Sequence, residues 1–143
     1  MCIGSVIFND LQQLATGTLK GMSGLAMTVI SEICSVYPHR NQALISAGVL
    51  ALTREPQPHS LPGIARVRSL EKPSWIVDRV SQEHGIISYN GSDGRQVQQD
   101  WHLGDKVELE IQHSCIAGAM YGWYFITDEK GIVRDIYYPW KWW

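Results

Sequence analysis

The chain has 143 residues, 45% of them hydrophobic and 18% charged, enough for one globular domain with a real core. A formal charge of −2 gives no electrostatic case for nucleic acid or for an anionic membrane surface. No apolar run reaches the ~18 residues that a bilayer span needs. The N-terminus lacks a basic flank and meets Asn9-Asp10 too early for a secretory leader. Cys2, Cys34 and Cys115 are scattered and form no paired framework, so a reducing, cytoplasmic setting is expected. In such a setting Asn90-Gly91-Ser92 is a turn rather than a glycosylation site.

In chain order, Asn9 to Gly24 is the least regular part. Asp10 is placed to cap a short turn through Leu11-Gln12-Gln13-Leu14, before Gly17, Gly21 and Gly24 break any helix. Ala26 to Tyr37 is rich in Thr, Val, Ile, Cys and Tyr and predicts a long strand closed by Pro38. Cys34 inside it reads as packing. Gln42 to Thr53 fits either a short helix or a buried strand broken at Gly48. Glu55 to Pro62 carries three prolines and reads as a surface loop.

Beyond that loop the spacing is that of an all-β module. Gly63 to Arg68 and Trp75 to Ser81 are strand candidates, and Gln82-Glu83-His84-Gly85 turns the chain back through Ile86-Ile87-Ser88-Tyr89. Asn90 to Gln99 is a polar loop. After Cys115 the small residues Ala117, Gly118 and Ala119 allow close backbone approach. Tyr121 to Thr127 and Ile132 to Tyr138 form the arms of a hairpin around Asp128-Glu129-Lys130-Gly131. Short strands at this spacing predict a mainly β fold, an antiparallel barrel or sandwich with few short helices, rather than a βαβ fold.

The chemistry concentrates at Asp105 to Cys115. From Lys106 to Gln112 polar residues alternate with Val107, Leu109 and Ile111, so the aliphatics face inward and Glu108 and Glu110 face solvent. Continued, the alternation puts His113 and Cys115 on the inner face and Ser114 on the outer one. An imidazole and a thiol would then stand roughly 6.6 Å apart, two strand rises of about 3.3 Å. That separation suits two ligands on one ion at bonds of about 2.0–2.3 Å, and sulfur with imidazole selects zinc over magnesium or calcium. On pattern alone a buried His beside a buried Cys fits ordinary core as well. His39, His59 and His102 sit in polar contexts and read as surface residues. The tail Tyr137-Tyr138-Pro139-Trp140-Lys141-Trp142-Trp143 sets five aromatic side chains in seven residues. It either folds back over one barrel end or docks on something outside this chain.

Taken together, several stretches resemble the C-terminal domain of the D-serine dehydratase and D-threonine aldolase-like family, pyridoxal-phosphate enzymes of the alanine-racemase fold type. They are Phe8-Asn9-Asp10-Leu11-Gln12-Gln13, Ser35-Val36-Tyr37-Pro38, Ala47-Gly48-Val49-Leu50-Ala51-Leu52, Arg79-Val80-Ser81-Gln82-Glu83-His84-Gly85, Gly104-Asp105-Lys106-Val107 and His113-Ser114-Cys115. The resemblance implies that residues 1–25 are the end of a β/α barrel with its connector. Residues 26–143 would then be the β domain. It implies a metal site at His113 and Cys115, because dehydratases of the family place zinc on His-x-Cys whereas the aldolases typically carry His-x-Asp. His84, in a matched stretch, either approaches that site or is satisfied by its own turn, and it is not counted as a ligand.

What the resemblance implies about activity is a zinc- and pyridoxal-phosphate-dependent conversion of D-serine to pyruvate and ammonia. The family's cofactor lysine lies in the β/α barrel, and Lys20, Lys72, Lys106, Lys130 and Lys141 match none of its positions. Val6 stands where members usually carry an aromatic residue, so no cofactor-phosphate contact is assigned to Gly4 or Ser5. The chain by itself is therefore expected to be inactive, with no catalytic residue of its own. Its expected partners are the barrel domain, a D-amino acid substrate held jointly with it, and a second copy if the enzyme is a homodimer. Nucleic acid and membrane are not among them. Two other readings stand beside this one, part of a D-threonine aldolase-like lyase and a non-catalytic β interaction module.

Overall fold

The computed structural model describes residues 7–55, 61–72 and 74–140. The expectations for Gly4, Ser5, Cys2, His59, Lys141, Trp142 and Trp143 fall outside them. The Thr/Val/Ile-rich stretch forms β1 (Thr28–Tyr37), in which Val29, Ser31 and Ile33 are buried and Ile30, Glu32 and Cys34 are exposed. Cys34 thus does not pack inside. It follows Ile33 onto the outer face of the pleat. The strands β2 (Gln42–Ile45), β3 (Ala65–Val67), β4 (Trp75–Val80), β5 (Gly85–Tyr89) and β6 (Lys106–Ile111) join it. They close a barrel in the order β1-β2-β5-β4-β3-β6. Every pairing in it is antiparallel.

The ladder register explains the core. Val29 stands opposite Leu109, Ala65 opposite Ile111 and Val67 opposite Leu109, so three strands deliver their apolar sets to one interior. Val77, Ile87, Ala43 and Ile45 complete it from the other side, all fully buried. Trp75 fills one end of the interior. Its Nε1 donates to Asp100 Oδ2 at 2.7 Å, and Trp101 and Tyr89 pack on its ring.

The segment read as helix-or-strand is both. After β2, Gly48 starts a short helix α2 (Val49–Leu52) that sits on the turn between β4 and β5. Val49 N–H donates to Ser81 C=O at 2.9 Å. A Cβ on Gly48 would lie 2.4 Å from Gln82 O, and one on Gly85 would lie 2.6 Å from Ala47 O. Gly48 against residues 81 and 82, and Gly85 against Ala47, let these backbones touch, and a Cβ fits at neither position.

Three further helices are short: α1 (Leu11–Ala15), α3 (Val97–Asp100) and α4 (Ser114–Ala119). The polar loop expected to run to Gln99 gives way to α3 at Val97, where the Gln96 and Gln99 side chains cap each other's backbone reciprocally. Beyond the barrel, β7 (Tyr124–Thr127) and β8 (Val133–Tyr137) form a separate two-stranded sheet. Asp128 braces its turn by accepting from Lys130 N, Ile132 N and Arg134. The described part of the aromatic tail does not fold back over the barrel, and Trp140 is 96% exposed.

Glu110 departs from expectation. It shares the outer face with Arg66 and Thr28, its cross-strand partners, yet it is only 3% exposed. Arg66 lies over it at 2.7 Å and Arg68 at 3.2 Å, and Arg68 also donates to Leu25 C=O at 2.6 Å. Alternation gave the correct face. Burial came from the arginines of the neighbouring strand, which a single-strand pattern does not contain.

Substitutions along β6 should therefore rank by environment. Leu109→Ala should destabilise by about 2–5 kcal/mol through the cavity it leaves. Glu110→Ala should cost about 1–3 kcal/mol by stranding two arginines that remain partly solvated, and Glu108→Ala less than about 1 kcal/mol. Urea denaturation of the three variants checks the order, and Glu110→Ala matching Glu108→Ala would contradict the burial described.

Candidate metal centre

β6 ends at Ile111, and the residues after it do not continue the pleat. Gln112 is buried and its Nε2 donates to Gly63 C=O at 2.7 Å, which locks the strand end against the loop entering β3. His113 is the N-cap residue of α4, in extended backbone conformation, and Ser114 opens the helix. The expected inner placement of His113 and Cys115 is thereby reversed. Ser114 is the buried residue, Cys115 is exposed and His113 is half-buried. The physical reason is the change of period, since a strand that turns into a helix at residue 114 no longer alternates.

Ser114 turns inward because a carboxylate awaits it. Asp10 is itself buried and caps two helices at once. Its Oδ1 accepts from Gln13 N at 2.9 Å at the start of α1. Its Oδ2 accepts from Ser114 N at 2.9 Å and Ser114 Oγ at 3.1 Å at the start of α4. Gln12 N donates to Gln112 C=O at 3.2 Å and doubles the link. The cap on α1 was legible in the sequence. The cap on α4 spans 104 residues and was not.

On the other side of His113 lies Glu55, a residue that the sequence placed only in a surface loop. Its Oε2 is 3.6 Å from His113 Nδ1, and both side chains are about a quarter exposed. Nδ1 itself is buried and makes no hydrogen bond among the described residues. Glu55 reaches this position through Thr53, which caps the C-terminus of α2 at φ 65° and ψ −177°. That conformation is strained for a β-branched residue, and its Oγ1 is buried without a hydrogen bond. Tyr121 Oη donates to Ala51 C=O at 3.0 Å and ties the same helix to the segment following α4.

The donor set fits a soft or borderline divalent ion such as zinc. His113 and Cys115 flank one buried residue, and their Cα atoms are no more than about 7 Å apart, the reach of two residues of chain. With Nδ1 buried, Nε2 is the nitrogen a metal can reach. Among the described residues no group of three or more His, Cys, Asp or Glu is gathered for an ion. His39, His84 and His102 are exposed, His39 in a short 3-10 helix (Pro38–Arg40), His84 in the turn between β4 and β5, and His102 in the loop before β6.

Pyridoxal phosphate has no such fit among the described residues. Lys20, Lys106 and Lys130 are exposed, Lys106 pairs with Glu32, and Lys72 lies over the Trp101 ring at 4.1 Å. No helix of the described residues is long and apolar enough to cross a membrane.

Known proteins align with this architecture. Residues 26–127 match the family described as "Putative serine dehydratase domain". A D-serine dehydratase of Schizosaccharomyces pombe is 36% identical over 98% of the chain, which spans 33% of that relative's length. Two solved structures of D-threo-3-hydroxyaspartate dehydratase share the fold. One is a cysteine-to-alanine variant in the metal-free form, with TM-score 0.81 and 21% identity. The other is a histidine-to-alanine variant, with TM-score 0.79 and 21% identity. Each aligns with 94% of this chain, which covers 37% and 36% of theirs.

The double cap makes a direct prediction. Asp10→Ala should destabilise the chain by about 2–3 kcal/mol, because it strands three buried or half-buried donors. Asp10→Asn, which keeps one acceptor oxygen, should cost about half as much. Urea midpoints give both values, and an Asp10→Ala loss below about 0.5 kcal/mol would mean that water replaces the carboxylate.

Proposed function

The chain belongs to the "Putative serine dehydratase domain" family, and from that premise we propose that it is the metal-binding C-terminal part of a D-serine dehydratase. The reaction would convert D-serine to pyruvate and ammonia. His113 and Cys115 would hold one zinc ion. Residues 26–143 would form the metal-bearing domain, and residues 1–25 the end and connector of a β/α barrel. The chain spans about a third of the curated relative it matches, and the barrel would supply the remainder.

One observation carries the metal assignment. At the junction of β6 and α4 an imidazole with a buried Nδ1 and an exposed thiol flank a serine that is anchored inward. The variants of D-threo-3-hydroxyaspartate dehydratase add support, since the replaced histidine and cysteine are numbered two apart, as His113 and Cys115 are.

Zinc would supply Lewis acidity to the β-hydroxyl of the substrate, and pyridoxal phosphate, held by the barrel, an electron sink for its Cα proton. The chain's own residues do the holding. His113 and Cys115 present two donors and leave coordination positions open, as a leaving group requires. Asp10 fixes the backbone between them, so their spacing does not drift as substrate enters. Cys115 also favours this reading over a D-threonine aldolase-like lyase, for which the resemblance implies His-x-Asp.

The exposed aromatic face fits the barrel as its occupant. Phe125, Ile136, Tyr137, Tyr138 and Trp140 are all exposed. Together with Phe8 and Tyr124 the last four line an open groove of about 760 Å³. Phe8 brings residues near the N-terminal end into that groove, where a barrel joined to this domain would lie.

The purified chain should hold about one equivalent of zinc, measured by metal analysis after dialysis, and Cys115→Ser should remove most of it. Stoichiometric zinc in a His113→Ala, Cys115→Ser double variant would overturn the assignment, and a zinc-free wild-type chain would favour the non-catalytic interaction module. The chain alone should release no pyruvate from D-serine. Mixed with a separately expressed barrel portion it should do so, and Trp140→Ser should lower that complementation by about tenfold or more, the signature of a buried aromatic anchor. Pyruvate from the isolated chain, abolished by Cys115→Ser, would place the whole active site within these residues.

A further inference from the structure

We propose that Glu55 positions His113 for the metal. Its carboxylate accepts the Nδ1–H of the imidazole, fixes the ring's tautomer and presents Nε2 to the ion. The inference rests on the zinc reading of His113 and Cys115 and adds a residue that no ligand spacing singles out.

A neutral imidazole that binds a metal through one nitrogen carries a proton on the other, and that proton needs an acceptor. His113 Nδ1 is buried and makes no hydrogen bond to the described residues. The carboxylate oxygen of Glu55 is 3.6 Å away. Closing to a hydrogen bond of about 2.9–3.0 Å requires a shift of roughly 0.6 Å. Contacts of this kind are often long before the ligand is in place.

The backbone is arranged to bring Glu55 there. The helix α2 is pinned to the β4–β5 turn by Val49 N–H and by the contact that Gly48 permits. Its last turn ends on Thr53 N–H donating to Val49 C=O at 2.8 Å. Thr53 then takes a left-handed φ of 65°, and two residues later Glu55 meets His113. Backbone strain of this sort persists where the surroundings over-determine it, and it gathers at functional positions. Glu55 is not read as a third ligand. The nitrogen it faces is buried away from any ion, and no three-ligand group exists among the described residues.

The test uses the 143-residue chain with two readouts, neither of them activity. Zinc affinity is measured by competition with a chromophoric chelator. The tautomer of His113 is read in the zinc-free chain from long-range ¹H–¹⁵N spectra, with the signal assigned by its loss in His113→Gln. Wild type should show the Nδ1–H form and bind zinc. Glu55→Ala should weaken zinc binding by about 10–100-fold, the usual effect of removing such an outer partner, and should lose the Nδ1–H signature. Glu55→Gln keeps an acceptor oxygen and should stay within about fivefold of wild type, which separates lost positioning from lost folding. Wild type binding zinc, with Glu55→Ala binding as tightly and keeping the Nδ1–H form, would overturn the Glu55 assignment alone. A wild-type chain that takes no zinc would overturn the zinc reading and this inference with it.

Discussion

A single carboxylate holds the junction of α1, β6 and α4 together. Asp10 gives one oxygen to the first turn of α1 and the other to the backbone and hydroxyl of Ser114. Two helix N-termini each leave backbone donors without intrahelical partners. Meeting both with one buried side chain fixes their relative position as well as their ends. The histidine and cysteine on either side of Ser114 inherit that fixity. A short helix of six residues has little stability of its own, so the order of the junction comes from this cross-chain cap and from Gln112 on the loop before β3.

The barrel serves as the rigid frame for that junction. Its interior is aliphatic and closed by Trp75, and its outer face is knitted by Arg66 and Arg68 over Glu110. The candidate site lies where β6 gives way to the short helix α4. The close backbone approaches that Gly48 and Gly85 allow seat α2, and α2 delivers the strained turn at Thr53 that brings Glu55 beside His113. Rigid strands with functional groups on the segments leaving them is a common division of labour. Outside the barrel the β7–β8 sheet leaves a broad aromatic surface uncovered, which is costly in water unless something docks on it.

These features bear on function in the same direction. In the proposed site a metal with two protein ligands would keep several positions open, which would suit a substrate hydroxyl and make the geometry depend heavily on what surrounds the ligands. The structure supplies such surroundings on both sides of His113, a carboxylate cap through Ser114 and a second carboxylate at Nδ1. The chain covers about a third of its curated relative and exposes an aromatic face, and the proposal that it completes a site with another domain draws on both facts.

How much of this was legible beforehand follows from the range of each interaction. β-favouring composition and turn spacing located β1, β4, β5 and the β7–β8 hairpin, and alternation located β6, because both signals are local to a strand. The same local logic read the cap of Asp10 on α1 and the inward aliphatics of β6. It failed where a partner came from elsewhere. Glu110 is buried by Arg66 of β3 and Arg68 just beyond it, Cys34 sits on the outer face that closure of the barrel defines, and Ser114 rather than its neighbours turns inward toward a carboxylate 104 residues earlier. His113 and Cys115 were singled out by their residue types and by resemblance, on the premise of a continuing strand that the structure replaces with a helix start. Glu55 had no signal at all, since nothing in a proline-rich loop says which histidine it will face. Composition and period determine elements and faces. Which side chains meet across the chain was decided by tertiary packing, because barrel closure and helix capping pair residues that sequence order keeps apart.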